Sequence, residues 1–142
     1  MNEIEDIRWQ QRFENYVRSV DLLVRAAASA GAPDATDIDQ LALIKCWEMA
    51  HELAWNLLKD YLTAEGHVGL MGSRSTTRMA IEFGLLPAGP LWMDMIDCRN
   101  ITVHAYDEHQ AEQIARHIQE TFVEALIWLR TKFAEMAAGG PA

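Results

Sequence analysis

Between Leu41 and Leu62 the chain places apolar residues around too much of a helix for that helix to lie on a surface. Leu43, Trp47, Ala50, Ala54, Leu57 and Tyr61 recur at steps of four and three, and Leu41, Ile44, Leu53, Leu58 and Leu62 widen the stripe beyond an ordinary amphipathic face. A helix of this kind is stable only as the centre of a group of helices. Asp37 or Asp39 is placed to cap its start, and Gly66 to close it. No run alternates with period two over a useful length, so no sheet is expected.

The flanking segments read as partners for that centre. An earlier helix is predicted over Ile4–Ala28, with Trp9, Phe13, Val17 (or Tyr16), Val20, Val24 and Ala27 inward, broken by Gly31-Ala32-Pro33-Asp34. After a loop with three glycines, Gly66 to Gly72, Ser73 or Ser75 caps a short helix running to Phe83 and closed by Gly84. Pro90 suits the first position of a helix over Leu91–Tyr106. Asp107 restarts the chain into a last long helix, with Ala111, Ile114, Ile118, Phe122, Ala125, Leu129 and Phe133 along its seam. The expectation is an all-α, up-and-down bundle of three long and two shorter helices. Residues 1–136 form one domain, and 137–142 a small-residue tail without fixed structure.

Composition narrows the function. The net charge is −9, with 21 acids against 12 Lys and Arg, which argues against a broad basic nucleic-acid surface while leaving room for a local cationic cleft. No stretch of about 18 uninterrupted apolar residues is present, so no membrane span is expected. The acidic start, Met1-Asn2-Glu3-Ile4-Glu5-Asp6, is unlike a signal peptide, and Cys46 and Cys98 read as reduced thiols, which together suggest the cytoplasm.

The polar residues that packing does not explain lie in Arg99-Asn100-Ile101-Thr102-Val103-His104-Ala105-Tyr106. By helical phase Trp92, Met95, Arg99 and Tyr106 share one stripe, with Asn100 and His104 on another. A guanidinium where a core helix should carry leucine costs several kcal/mol unless it is paired or faces a cleft. Two readings therefore stand. In one, Arg99 pairs with acids of a neighbouring helix. In the other, Arg99, Asn100, His104 and Tyr106 form a set for handling phosphate, the arginine forking onto oxygens and the histidine moving protons near neutral pH.

Glu48 and Glu52 stand four apart on the central helix, beside His51 and one turn before Trp55, and either carboxylate can hold Arg99 or orient His104. A solvated acidic strip is the alternative. His51-Glu52 opens like a HExxH zinc motif, but Trp55 occupies the second histidine position. Glu48-x-x-His51 is half of a di-metal motif with no second half, so neither a metal nor another cofactor is expected. Arg74 and Arg78, four apart at the start of the short helix, are either solvated residues or contacts for RNA phosphate or a partner.

Together these residues resemble the HEPN proteins, within them the nucleotidyltransferase substrate-binding-like branch. The resemblance is carried by Trp47-Glu48-Met49-Ala50-His51-Glu52-Leu53-Ala54-Trp55-Asn56-Leu57-Leu58-Lys59-Asp60-Tyr61-Leu62, by Phe83-Gly84-Leu85-Leu86, and by Trp92–Ile96 leading into Arg99-Asn100 and His104-Ala105-Tyr106-Asp107-Glu108. Trp47, Asn56 and Cys98 depart from the usual residues at their positions. The resemblance implies a dimeric bundle paired with a minimal nucleotidyltransferase in a two-gene toxin–antitoxin module. It implies Arg99 and His104 as metal-independent ribonuclease residues assisted by Asn100, with Tyr106 as acceptor of AMP from the partner. A non-catalytic subunit that binds substrate for the nucleotidyltransferase, and a purely structural dimerising bundle, are the other readings of the same chain.

Overall fold

The computed structural model describes residues 3–102 and 107–139. Its order is α1 (Glu3–Ala30), α2 (Asp37–Ala64), α3 (Ser73–Glu82), α4 (Leu91–Ile101), α5 (Glu108–His117), a π turn (Ile118–Phe122) and α6 (Val123–Ala137). The last three run on as one rod, so the bundle has three long and two short helices, with no strand among the described residues. The expected seam of that rod, Ala111 to Phe133, is buried throughout. The π turn was not foreseen. It falls where the seam takes two successive steps of four, from Ile114 through Ile118 to Phe122, and the extra residue per turn keeps Phe122 on the inner face.

α2 is the central helix, packed against α1, α3, α5, the π turn and α6. Leu43, Trp47, Ala50, Ala54, Leu57 and Tyr61 are all buried, as are Ile44, Leu58 and Leu62, whereas Leu41 is exposed. Each large apolar side chain so enclosed contributes about 1.5–3 kcal/mol. The cap is Thr36 rather than Asp37 or Asp39. Its hydroxyl accepts from the Asp39 amide at 3.4 Å while the Asp39 carboxylate accepts from the Thr36 amide at 2.8 Å, a reciprocal box satisfying two free N–H groups. α2 stops where Gly66 takes a φ of 97°, allowing the His67 amide to donate back to Leu62 O at 3.0 Å.

α1 buries Trp9, Tyr16, Val20 and Leu23, so its inner face runs through Tyr16 and Leu23; Val24, expected inward, is exposed. Tyr16 fixes that phase, its hydroxyl donating to Leu126 O at 2.7 Å on α6. Trp9, Tyr61 and Phe133 meet edge to face at 5.4–5.6 Å, joining the ends of α1, α2 and α6. α3 begins after Gly72, not under a serine cap: the Ser75 hydroxyl instead accepts from the Met71 amide at 3.0 Å. Cys98 is buried and Cys46 half-buried, both as free thiols, and burial pushes Cys98 up to about 11.

Candidate functional site

α4 delivers Arg99 to the site. Pro90 precedes its first residue, and Trp92, Met95, Ile96 and Cys98 bury its inner side. Arg99 falls in the last turn, where the helix dipole favours a cation, and Thr102 Oγ1 donates to Arg99 O at 2.8 Å, satisfying a terminal carbonyl. The helix is described only to Ile101, shorter than the expected span to Tyr106. His104 and Tyr106 lie outside the described residues.

The Arg99 side chain is 26% exposed and reaches α2 through one nitrogen. Nη1 lies 3.1 Å from Glu48 O, 3.3 Å from His51 Nδ1 and 3.4 Å from Glu52 Oε2. Two protons cannot serve three acceptors at full strength, so the bonds are shared. Glu48 thus holds Arg99 by its backbone carbonyl rather than its carboxylate. Glu52 supplies the carboxylate, itself half exposed. Among the described residues Nε and Nη2 have no hydrogen-bond partner, which leaves one bidentate edge of the guanidinium available.

Glu52 is fixed from its own helix. Trp55 Nε1 donates to Glu52 Oε2 at 3.0 Å, and Asn56 Nδ2 donates to Glu52 O at 2.8 Å and to Oε1 at 3.4 Å. Two clefts flank Arg99. One, of about 190 Å³, is lined by His51, Glu52, Trp55, Ser73, Ile96, Arg99 and Asn100. The other, of about 370 Å³, opens between Arg99 and the outer strip of α2, Lys45, Glu48, Met49, Glu52 and Leu53. Asn100 is exposed at the smaller cleft. Arg74 is occupied by Asp97 at 2.8 Å, an exposed pair, and Arg78 is exposed.

His51 is the neighbour that sequence reasoning passed over. It is only 2% exposed, and burial, then the charge of Arg99, pushes it down to about 3. Its ring stacks on Trp47 at 5.6 Å, and Trp47 stacks on Phe122 at 5.2 Å. Nε2 of His51 has no partner among the described residues, a burial that costs about 1–3 kcal/mol. The available signal was its place one helical turn after Glu48, which the sequence reading used only to set aside a di-metal site. Among the described residues no three His, Cys, Asp or Glu side chains lie together as a metal set.

An all-helical bundle with a half-free arginine closing α4 against the Glu48–Asn56 stretch of α2 defines the class of protein. The family described as nucleotidyltransferase substrate binding protein like matches residues 11–135, and the chain belongs to that family, a branch of the HEPN proteins. Over 86 residues it is 29% identical to the Probable ribonuclease HepT of Haemophilus influenzae, an alignment covering 58% of this chain. The match spans 59% of that protein's length.

Proposed function

We propose that this protein is a metal-independent endoribonuclease, the toxin half of a two-gene module whose other half is a minimal nucleotidyltransferase. One observation carries the reading: Arg99 is anchored through Nη1 alone and, among the described residues, keeps its Nε–Nη2 edge unbonded beside two clefts. An arginine retained only to neutralise a carboxylate would present that edge to Glu52. The family and the name of the Haemophilus influenzae relative support the same reading.

In the reaction the RNA 2′-oxygen attacks phosphorus as its proton leaves, the bond to the 5′-oxygen breaks, and that oxygen takes up a proton. The products are a 2′,3′-cyclic phosphate and a 5′-hydroxyl. Arg99 stabilises the crowded phosphorane, Asn100 assists at the smaller cleft, and His104 transfers protons. His51 is held too far below neutrality to substitute for it. His104 alone is thin for two proton transfers, and a two-fold dimer bringing two sites together relieves this. Ile38, Leu41 and Met49 expose an apolar strip of α2 leading toward Arg99, which supports a homodimer formed on that side.

Silencing follows from Tyr106. Its oxygen attacks the α-phosphorus of ATP on the partner enzyme and pyrophosphate leaves, placing AMP where RNA phosphate would otherwise meet Arg99. No described helix is long and apolar enough to cross a membrane, and the cytoplasm, where RNA and ATP meet, is the proposed location. The competing reading, a subunit that binds substrate without cutting it, is favoured by His51, the imidazole that lines the smaller cleft, being pushed down to about 3 by its burial and by Arg99. Incubating the purified chain with RNA in EDTA separates the two: cyclic-phosphate ends support the ribonuclease, and bound but intact RNA supports the binding subunit.

A further inference from the structure

His51 takes no part in the chemistry above, yet it touches the residue at its centre. A guanidinium only donates hydrogen bonds, so the 3.3 Å approach of Arg99 Nη1 requires His51 Nδ1 to be unprotonated and accepting. A proton on Nδ1 would set two donors against each other. The ring proton is therefore on Nε2, which is buried without a partner among the described residues. A leucine or phenylalanine would fill the same space against Trp47 without burying a lone N–H. What the imidazole adds is the acceptor at Nδ1.

The ring is also held in place. Phe122 on the π turn stacks on Trp47 at 5.2 Å with planes 22° apart, and Trp47 stacks on His51 at 5.6 Å and 29°. The irregular turn in the last rod thus leads through two stacked rings to the imidazole that meets Arg99. The charged groups facing the ring are Arg99 from α4 and, through Arg99, Glu52 of α2. With burial and Arg99 both opposing protonation, the ring stays uncharged across the physiological range.

We propose that His51 is a positioning residue for Arg99: its Nδ1 accepts from Nη1 and, with Glu48 O, fixes the guanidinium so that the Nε–Nη2 edge is presented to a phosphate. The consequence for RNA rests on the function proposed above; the contact itself does not.

The test uses the full chain and two substitutions. His51→Asn keeps an acceptor near the Nδ1 position, whereas His51→Leu keeps only bulk. Nitrogen NMR of the wild type is expected to show His51 with Nδ1 bare, Nε2 protonated and no titration between about pH 5 and 8. Arg99 is expected to show slowed guanidinium rotation, retained in His51→Asn and lost in His51→Leu. Cleavage of RNA, or binding of a 2′-O-methyl RNA that cannot be cut, is expected to stay within about 3-fold of wild type in His51→Asn and to fall about 10-fold or more in His51→Leu at similar Tm. A ring that titrates near its ordinary value, or a leucine variant matching the asparagine variant in both measurements, would overturn the proposal. Should the leucine variant fail to fold, the wild-type ring spectrum and the asparagine variant decide the question. A wild type that neither cuts nor binds RNA would remove the functional reading of Arg99, leaving the NMR result to stand or fall alone.

Discussion

Replacing Glu52 by glutamine should make the protein bind RNA more tightly, the reverse of what loss of a supporting carboxylate usually does. Glu52 is half exposed and lies 3.4 Å from Arg99, so its charge opposes any phosphate brought to the free edge of the guanidinium. The pair itself is worth at most about 1 kcal/mol at such exposure. Glutamine keeps an oxygen for Trp55 Nε1, now held at 3.0 Å, so the fold should scarcely change. A phosphate oxygen at hydrogen-bond distance from a guanidinium that is itself 3.4 Å from Glu52 is taken as about 5 Å from that carboxylate. With an effective dielectric of about 40–80 the repulsion removed is about 0.8–1.7 kcal/mol. Screening over a Debye length of about 10 Å leaves roughly 0.5–1 kcal/mol, or about 2- to 6-fold in affinity. Fluorescence anisotropy of a dye-labelled 2′-O-methyl RNA at fixed salt, with Tm recorded on the same samples, measures it. Affinity that is unchanged or weaker in Glu52→Gln, at unchanged Tm, would refute the idea that Arg99 receives phosphate beside Glu52.

Intact-mass spectrometry after incubation with the cognate nucleotidyltransferase and ATP should show one or more AMP additions that Tyr106→Phe lacks; an unchanged wild-type mass, or equal addition in the variant, would remove Tyr106 from the mechanism. Light scattering at micromolar concentration should give the mass of a dimer, and Met49→Glu, which charges the exposed strip beside Arg99, should shift it toward monomer. A wild type that stays monomeric would contradict the proposed two-fold site.

The architecture was legible because burial follows period. The width of the apolar stripe on α2 marked it as central, and the seam of the last rod was read residue by residue. What escaped were choices between neighbours: Tyr16 and Leu23 over Val17 and Val24, and Thr36 over Asp37 as a cap. The first turned on the Tyr16 bond to Leu126 O and the second on the reciprocal bonds between Thr36 and Asp39, partners that helical phase does not reveal. At the site, Arg99 stood out as a cation on an apolar stripe. Of its three contacts the Glu52 carboxylate was foreseen, while the other two were not, because they are a backbone carbonyl and a buried imidazole and neither carries a charge pattern in sequence.

The central claim is that Arg99 and His104 cut RNA without a metal. The most direct measurement is mapping RNA ends after incubation with the wild type, Arg99→Ala and His104→Ala, each in excess EDTA. The wild type should give 2′,3′-cyclic phosphate and 5′-hydroxyl ends at an undiminished rate. Either variant should lose about 100-fold or more while its helical circular dichroism is retained. Cleavage that disappears in EDTA, or that persists at full rate in either variant, would contradict it.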